Sequence, residues 1–160
     1  MSKGVELKPI GIIHTPYKGS KGMPIQGKFE KGVIGKVELF PEYEQGLKDI
    51  EGFSHIMLIY YFDRSRNEKL IGRPYLEDES HRIFAIRSPH RPNRIGFSIV
   101  KLEKVENNTV TFSEVDILDD TPLLDIKPYV SHFDSRNNVK NGWLEKHFKG
   151  GKIPKRTKLK

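Results

Sequence analysis

Residues 87–98, RSPHRPNRIGFS, place Arg87, Arg91, Arg94, His90 and two prolines in the eight positions before an apolar run. A guanidinium is permanently charged and grips carboxylate or phosphate through a planar fork, while proline fixes φ and removes a backbone donor. The segment therefore reads as a stiff platform that holds an anion. A second stretch, DILDDTPLLDIKPY at 116–129, carries Asp116, Asp119, Asp120 and Asp125 within ten residues. Carboxylates accept hydrogen bonds from a ribose diol or an α-ammonium. The same aspartates also suit turn hydrogen bonds around Thr121-Pro122, where the chain is expected to bend. Together the two stretches offer what a zwitterionic nucleoside needs, and spacing alone goes no further. With no cysteine and six scattered histidines, no metal-ligand spacing is present and none is expected.

The elements that must position these groups are short. At 160 residues the chain is the size of a single domain with its own core. Segments 5–14, 33–40, 53–62, 83–86, 95–105 and 110–117 are apolar, several of them β-branched, and read as strands. Segment 53–62, FSHIMLIYYF, has large apolar residues at both parities, as expected of a strand buried on both sides at the centre of a sheet. It falls well short of the roughly 20 residues a membrane-spanning helix needs, so no membrane is expected. Asn107 and Asn108 tolerate positive φ and join the last two segments as a hairpin. Apolar parity changes in both arms, from Ile95, Phe97, Ile99 to Val100, Leu102 and from Val110, Phe112 to Val115, Ile117, which predicts bulges or strong coiling, as a sheet needs to close into a barrel. Residues 41–52 open on proline and fit one short helix. Residues 141–148 fit one or two helical turns packing Trp143, the only tryptophan, on the end of the sheet.

No long amphipathic helix separates the strands, and the dinucleotide and phosphate-loop glycine motifs are missing, which argues against a doubly wound nucleotide-binding fold. The expected fold class is mainly β: a small closed or nearly closed, mostly antiparallel barrel over residues 1–148, with long loops and one or two short helices. Of the 28 lysines and arginines behind the formal charge of +7, six lie in residues 149–160, which hold no acid; the other 22 face 21 acids. The body is thus nearly neutral. The tail, rich in Gly, Pro and Lys, is expected to be disordered and to serve either solubility or salt-sensitive phosphate contacts. A cysteine-free chain of this kind suits a reducing cytoplasm.

Five segments carry a resemblance: IGIIHTPY near the start, the Pro24-Ile25-Gln26 loop, LKDIEGFSHIMLIYYF, FAIRSPHRPNRIGFSIV and DILDDTPLLDIKPYV. In this order, over roughly residues 10–130, the chain resembles the TsaA/TrmO (YaeB-like) family of S-adenosylmethionine-dependent tRNA methyltransferases. The resemblance implies a small β-barrel that pairs as a homodimer, binds S-adenosylmethionine near the interface and methylates the exocyclic nitrogen of threonylcarbamoyl-modified adenosine beside the tRNA anticodon. It places the cofactor at Pro24, Ile25 and Gln26, at Asp63 and Arg64, at Arg87 and Phe97, and at Ile117, Leu118, Asp119 and Asp120. In that picture loop backbone reads the adenine edge, Phe97 packs on its ring, an aspartate holds the ribose or ammonium, and Arg87 takes the carboxylate. Arg91 and Arg94, with Lys155 and Arg156 of the tail, would face tRNA phosphate.

Asp125, Lys127 and Tyr129 are the candidates for removing a proton, and the residues themselves do not choose between them; Tyr129 also suits a packed aromatic, and His90 a loop brace. The chain departs from the family pattern at Asp120, where glycine is usual, at Asp63, where histidine is frequent, and at Ile86, Arg94 and Phe97. A competing class is a non-catalytic RNA-binding or cofactor-sensing barrel, which a basic and aromatic strand face would also serve.

Overall fold

Alternating β-branched and aromatic residues form eight strands: β1 (Gly11–His14), β2 (Ile34–Leu39), β3 (His55–Tyr61), β4 (Ile71–Gly72), β5 (His81–Arg82), β6 (Ile95–Glu106), β7 (Thr109–Ser113) and β8 (Thr121–Pro128). The structure, a computed structural model, describes residues 4–152, 154 and 156–160. Six strands close into a barrel in the order β1-β2-β7-β6-β3-β8, each neighbouring pair antiparallel. β4 and β5 pair separately, within the long excursion between β3 and β6. Inside the barrel Ile13, Val37, Ile56, Leu58, Val100, Val110, Phe112 and Leu123 are fully buried. Two aromatic rings lie against glycines directly across a ladder, Phe112 on Gly35 and Tyr60 on Gly96. A one-residue slip would drive each ring into a Cβ, so these contacts pin the register. The predicted hairpin is present, with Asn107 at φ 52°.

The parity change in β6 has a different cause from the bulge expected there. β3 and β6 pair without interruption from His55↔Lys101 to Tyr61↔Ile95. Gly96, Ser98 and Val100 therefore face inward, while Ile95, Phe97 and Ile99 stand outside at 39%, 44% and 40% exposure. The irregularity against β7 comes later, between Leu102 and Lys104. In the second arm parity changes because β7 ends at Ser113 and Glu114 turns to φ 64°. β3 likewise buries one face only, with Ile56, Leu58 and Tyr60 inside and Met57, Ile59 and Tyr61 half-buried outside.

Other elements also differ from expectation. Residues 41–52 form two 3-10 segments, Pro41–Leu47 and Ile50–Gly52, broken where Asp49 adopts φ 69°. Ile83–Ala85 is a 3-10 turn rather than strand, and the first strand begins only at Gly11. Thr121 and Pro122 lie inside β8; the bend falls on Asp120, at φ 59°. That left-handed position explains the family's glycine, and aspartate is among the few residues that tolerate it. A short helix α1 (Ser131–Asp134) follows β8, and Gly142–His147 is 3-10. Trp143 packs away from the barrel end, stacking on His81 at 4.6 Å and donating to the Ala85 carbonyl at 2.8 Å.

Rather than running free, the tail pairs with the 22–25 loop: Ile25 N donates to Thr157 O and Leu159 N to Met23 O, both at 2.8 Å. Lys158 adds an ion pair with Glu30 at 2.7 Å. No helix among the described residues is long and apolar enough to cross a membrane.

Candidate functional site

The three arginines of the opening segment have different fates. Arg91 donates to the Ile86 carbonyl at 2.8 Å, closing the loop on itself. Arg94 donates to the Ser65 carbonyl and lies 5.0 Å from the Tyr61 ring centroid. His90 braces the same loop, its Nδ1 2.8 Å from Ser65 Oγ. Arg87 instead reaches the 24–26 loop, donating to Gln26 Oε1 at 3.3 Å. Asn93 and Arg94 are both left-handed, at φ 62° and 48°, so the turn into β6 is sharp. Proline could not adopt the φ of Arg94, which makes this loop different in kind from one carrying the family's proline there.

Beneath Arg87 lies a network that sequence reasoning missed. Asp116 accepts from Ser98 Oγ at 2.6 Å and from Gly27 N at 3.2 Å, and Ser98 Oγ is 2.9 Å from the Tyr60 hydroxyl. Burial pushes the Asp116 carboxyl above its usual range, against the pull of the Ser98 and Gly27 hydrogen bonds and the Arg87 charge. The Tyr60 phenol is also pushed up by burial. Ser98 could have been read as inward-facing only with the right β6 parity, which its apolar neighbours disguised. Gly27 is required by close approach, since a Cβ there would overlap the Glu114 carbonyl. Asp116 thus fixes the loop that begins at Pro24, Ile25 and Gln26, and Arg87 is laid across it.

The other candidates group elsewhere. Asp63 pairs with Arg64 at 3.4 Å, and Arg64 donates to Thr121 Oγ1 at 2.9 Å, which ties the end of β3 to the 117–120 turn. Within that turn the Ile117 and Leu118 carbonyls accept from the Thr15 and Thr121 hydroxyls, both at 2.7 Å. Asp119 is buried, accepting from Thr15 N at 2.9 Å and from Lys18, whose hydrogen bond holds its carboxyl below the usual range. Asp120 is exposed, 3.4 Å from His14. Asp119 and Asp120 line an open depression of about 540 Å³ with His14, Lys18 and Lys36.

Phe97 stands apart on the outer face, opposite Ile59. Ile59 also faces Asp125, and Met57 faces both Ile99 and Lys127, so two rows cross β6, β3 and β8 on the outside. Asp125 and Lys127 form an ion pair at 2.9 Å, which holds the Lys127 ammonium protonated and makes it a poor base. Tyr129 is half-buried, edge-on to His55 at 6.3 Å, rather than in the core. Arg156 donates to the Tyr75 carbonyl from Nε at 3.0 Å, while Lys155 lies outside the described residues.

The fold also makes two clusters of His and carboxylate that spacing did not reveal, His14 with Asp119 and Asp120, and His81 with Glu77 and Glu79. In each, an ammonium already occupies the central carboxylate, Lys18 on Asp119 and Lys146 on Glu77. Glu77 is buried and accepts from Lys146 and His147, each at 2.7 Å, and from His81.

Comparison with known proteins gives this geometry a family. The model described as the tRNA-methyltransferase O N-terminal domain matches residues 12–135. A probable S-adenosyl-L-methionine-binding protein of Pyrococcus abyssi is 55% identical over 140 residues, covering 88% of this chain and 76% of its own. The human tRNA (adenine(37)-N6)-methyltransferase is 32% identical over 139 residues, covering 82% of this chain and 32% of its own. The crystal structure of TrmO from Pseudomonas aeruginosa superposes with a TM-score of 0.76 at 33% identity, covering 88% of this chain and 62% of that one. The chain therefore spans about a third of the human relative's length and less than two thirds of the solved structure's. With its barrel, its loop order and these matches, the chain belongs to the tRNA-methyltransferase O family, whose N-terminal domain it carries.

Proposed function

We propose that the chain transfers a methyl group from S-adenosylmethionine to the exocyclic nitrogen of threonylcarbamoyl-modified adenosine beside the tRNA anticodon, in the cytoplasm. It does so as a homodimer paired through the outer faces of β3 and β6. The observation that carries this reading is the pair of rows on the outer face, Phe97, Ile59, Asp125 and Ile99, Met57, Lys127, apolar at one end and charged at the other. A closed barrel keeps its apolar side chains inside, so a contiguous exposed set calls for a cover. A second copy supplies that cover and brings its own loops to the same face.

The donor set suits the cofactor. Arg87 has no ion-pair partner among the described residues and is free to take a carboxylate. Phe97 offers a plane for a purine, Gln26 a side-chain amide, and Asp63 an exposed acceptor for a ribose or ammonium. The cofactor, when bound, supplies an electrophilic methyl on a sulfonium. The chain's part is alignment and exclusion of water: two rigid loops hold donor and acceptor, which removes much of the entropic barrier of a two-substrate reaction. Asp125, two strands across from Phe97 and so about 10 Å away along the face, accepts the proton of the attacking nitrogen, with Lys127 steadying its charge.

Single-turnover transfer of labelled methyl to tRNA with and without the threonylcarbamoyl group tests this. Label is expected only on the modified RNA, and Arg87→Ala should abolish it. If the cofactor binds but no threonylcarbamoyl-bearing tRNA is labelled, the non-catalytic barrel is the correct class.

A further inference from the structure

The excursion between β3 and β6 encloses a recess of about 330 Å³ that belongs to neither the Arg87 network nor the outer face. Its polar wall is Lys69, Arg73, Ser80, Ser88 and His90, its floor the buried Ile83, and no acid lines it. Neither Lys69 nor Arg73 has an ion-pair partner among the described residues. Of the nearby acids, Glu77 pairs with Lys146 at 2.7 Å, Asp78 faces Arg156 at 3.5 Å, and Glu79 gathers with Glu77 and His81 outside the lining.

The recess is also built before any ligand arrives. Lys69 N donates to the His90 carbonyl at 3.0 Å, and Ile83 N to the Leu70 carbonyl at 2.9 Å. β4 pairs with β5, and the Ser88 hydroxyl accepts from His90 N at 3.4 Å. His90 Nδ1 lies 2.8 Å from the Ser65 hydroxyl, and in the tautomer where Nδ1 accepts, Nε2 carries the proton and can donate to an anion. Two cations, two hydroxyls and an imidazole around an apolar floor are the chemistry of an oxyanion site, because charged and neutral donors converge where no acid lines the wall.

We propose that this recess binds an oxyanion of the RNA, either a backbone phosphate or the carboxylate of the threonylcarbamoyl group. The inference rests on the tRNA reading above and deepens it: Ser88 lines the recess while its chain neighbour Arg87 reaches Gln26, so one loop serves both ligands. It also moves the main anion contact away from Arg91 and Arg94, whose guanidinium groups staple the loop.

The test is tRNA affinity across a salt series for the full chain and for the Lys69→Ala/Arg73→Ala variant, using transcripts with and without the threonylcarbamoyl group. A phosphate contact predicts weaker binding of both RNAs, with the slope of log K against log salt smaller by about 1. A carboxylate contact predicts loss of the preference for the modified RNA, with binding of the unmodified one unchanged. Both results require cofactor affinity to stay at the wild-type value. Equal affinity and slope for variant and wild type on both RNAs would overturn the proposal. If the wild-type chain binds no tRNA, the functional reading fails by itself. Inorganic phosphate then decides the recess, since it should shift the His90 ring resonances in wild type and not in the variant, and no shift in either sinks the site.

Discussion

In the proposed homodimer, Ile99→Asp should separate the two copies. Ile95, Phe97 and Ile99 are each about 40% exposed, which for side chains of this size is roughly 70–90 Å² apiece. Two copies facing each other would cover on the order of 480 Å² from these residues alone, a gross gain of about 12 kcal/mol at about 25 cal/mol/Å². Association costs about 4–15 kcal/mol, the same size as this gain, so the half-buried Met57, Ile59 and Tyr61 beside them must add to the interface. Ile99→Asp removes about 140 Å² over the two copies, worth about 3.5 kcal/mol. It also asks each copy to bury a carboxylate with no partner, which costs several kcal/mol more. A loss above about 5 kcal/mol is more than three decades in dissociation constant. Analytical ultracentrifugation at tens of micromolar should show a wild-type dimer and a monomeric variant that still melts cooperatively, because the barrel interior is untouched, at a temperature lowered by no more than the lost association. Methyl transfer should fall with the dimer. A monomeric wild type, or a variant that dimerises as tightly as wild type, would refute the reasoning.

Gly27→Ala should weaken cofactor binding tenfold or more and lower the melting temperature by several degrees. The added Cβ meets the Glu114 carbonyl and pushes the loop off Asp116, forfeiting a hydrogen bond to a charged group worth roughly 1.5–3 kcal/mol. Calorimetry with S-adenosylmethionine reads this directly, and an unchanged affinity would remove Pro24, Ile25 and Gln26 from the site. The Glu77 knot should open in acid. Lys146, His81 and His147 hold its carboxyl down from 4.5 to about 2, so its contribution to stability is complete above pH 4.5 and is lost as the pH falls toward 2. Trp143 stacks on His81 and reports the change: its emission should shift in that window, and Glu77→Gln should show the shifted spectrum already at pH 7. A flat response, with the variant indistinguishable from wild type at neutral pH, would mean that the knot does not hold the 142–147 segment.

Local chemistry told most of the fold. Short β-branched runs, the Asn107-Asn108 turn and the lack of long amphipathic helices led to an antiparallel barrel, and the structure has one. Parity misled on both β3 and β6, and on β6 the physical reason is plain. Alternation locates the interior only when the outer face is polar, and on β6 the outer face holds Ile95, Phe97 and Ile99 while the interior holds Gly96 and Ser98. The inward glycine is there because the Tyr60 ring fills its space, and the inward serine because it carries the Asp116 hydrogen bond. Neither fact is visible without the partner strand. The Glu77 knot and the recess were hidden likewise, because their members come from 69–90 and 146–147 and meet only after β4 and β5 pair. The tail's composition suggested solvent, but three backbone bonds to the 22–25 loop outweigh it.

The number of cations in residues 87–94 finds its reason in how their hydrogen bonds are distributed. A loop that aligns two substrates must be rigid on both sides, and prolines alone cannot do this, because they remove donors without supplying any. Arg91 and Arg94 supply them, each reaching a carbonyl of its own chain, and His90 adds a third tie through Ser65. Under the proposed function, truncating either arginine should disturb cofactor and RNA contacts together, whereas truncating Arg87 should affect the cofactor side and truncating Lys69 or Arg73 the RNA side. A charge cluster that looks like a single anion grip is, residue by residue, two staples and one hand. The second grip proposed for the recess would come from residues whose positions in the sequence showed nothing unusual.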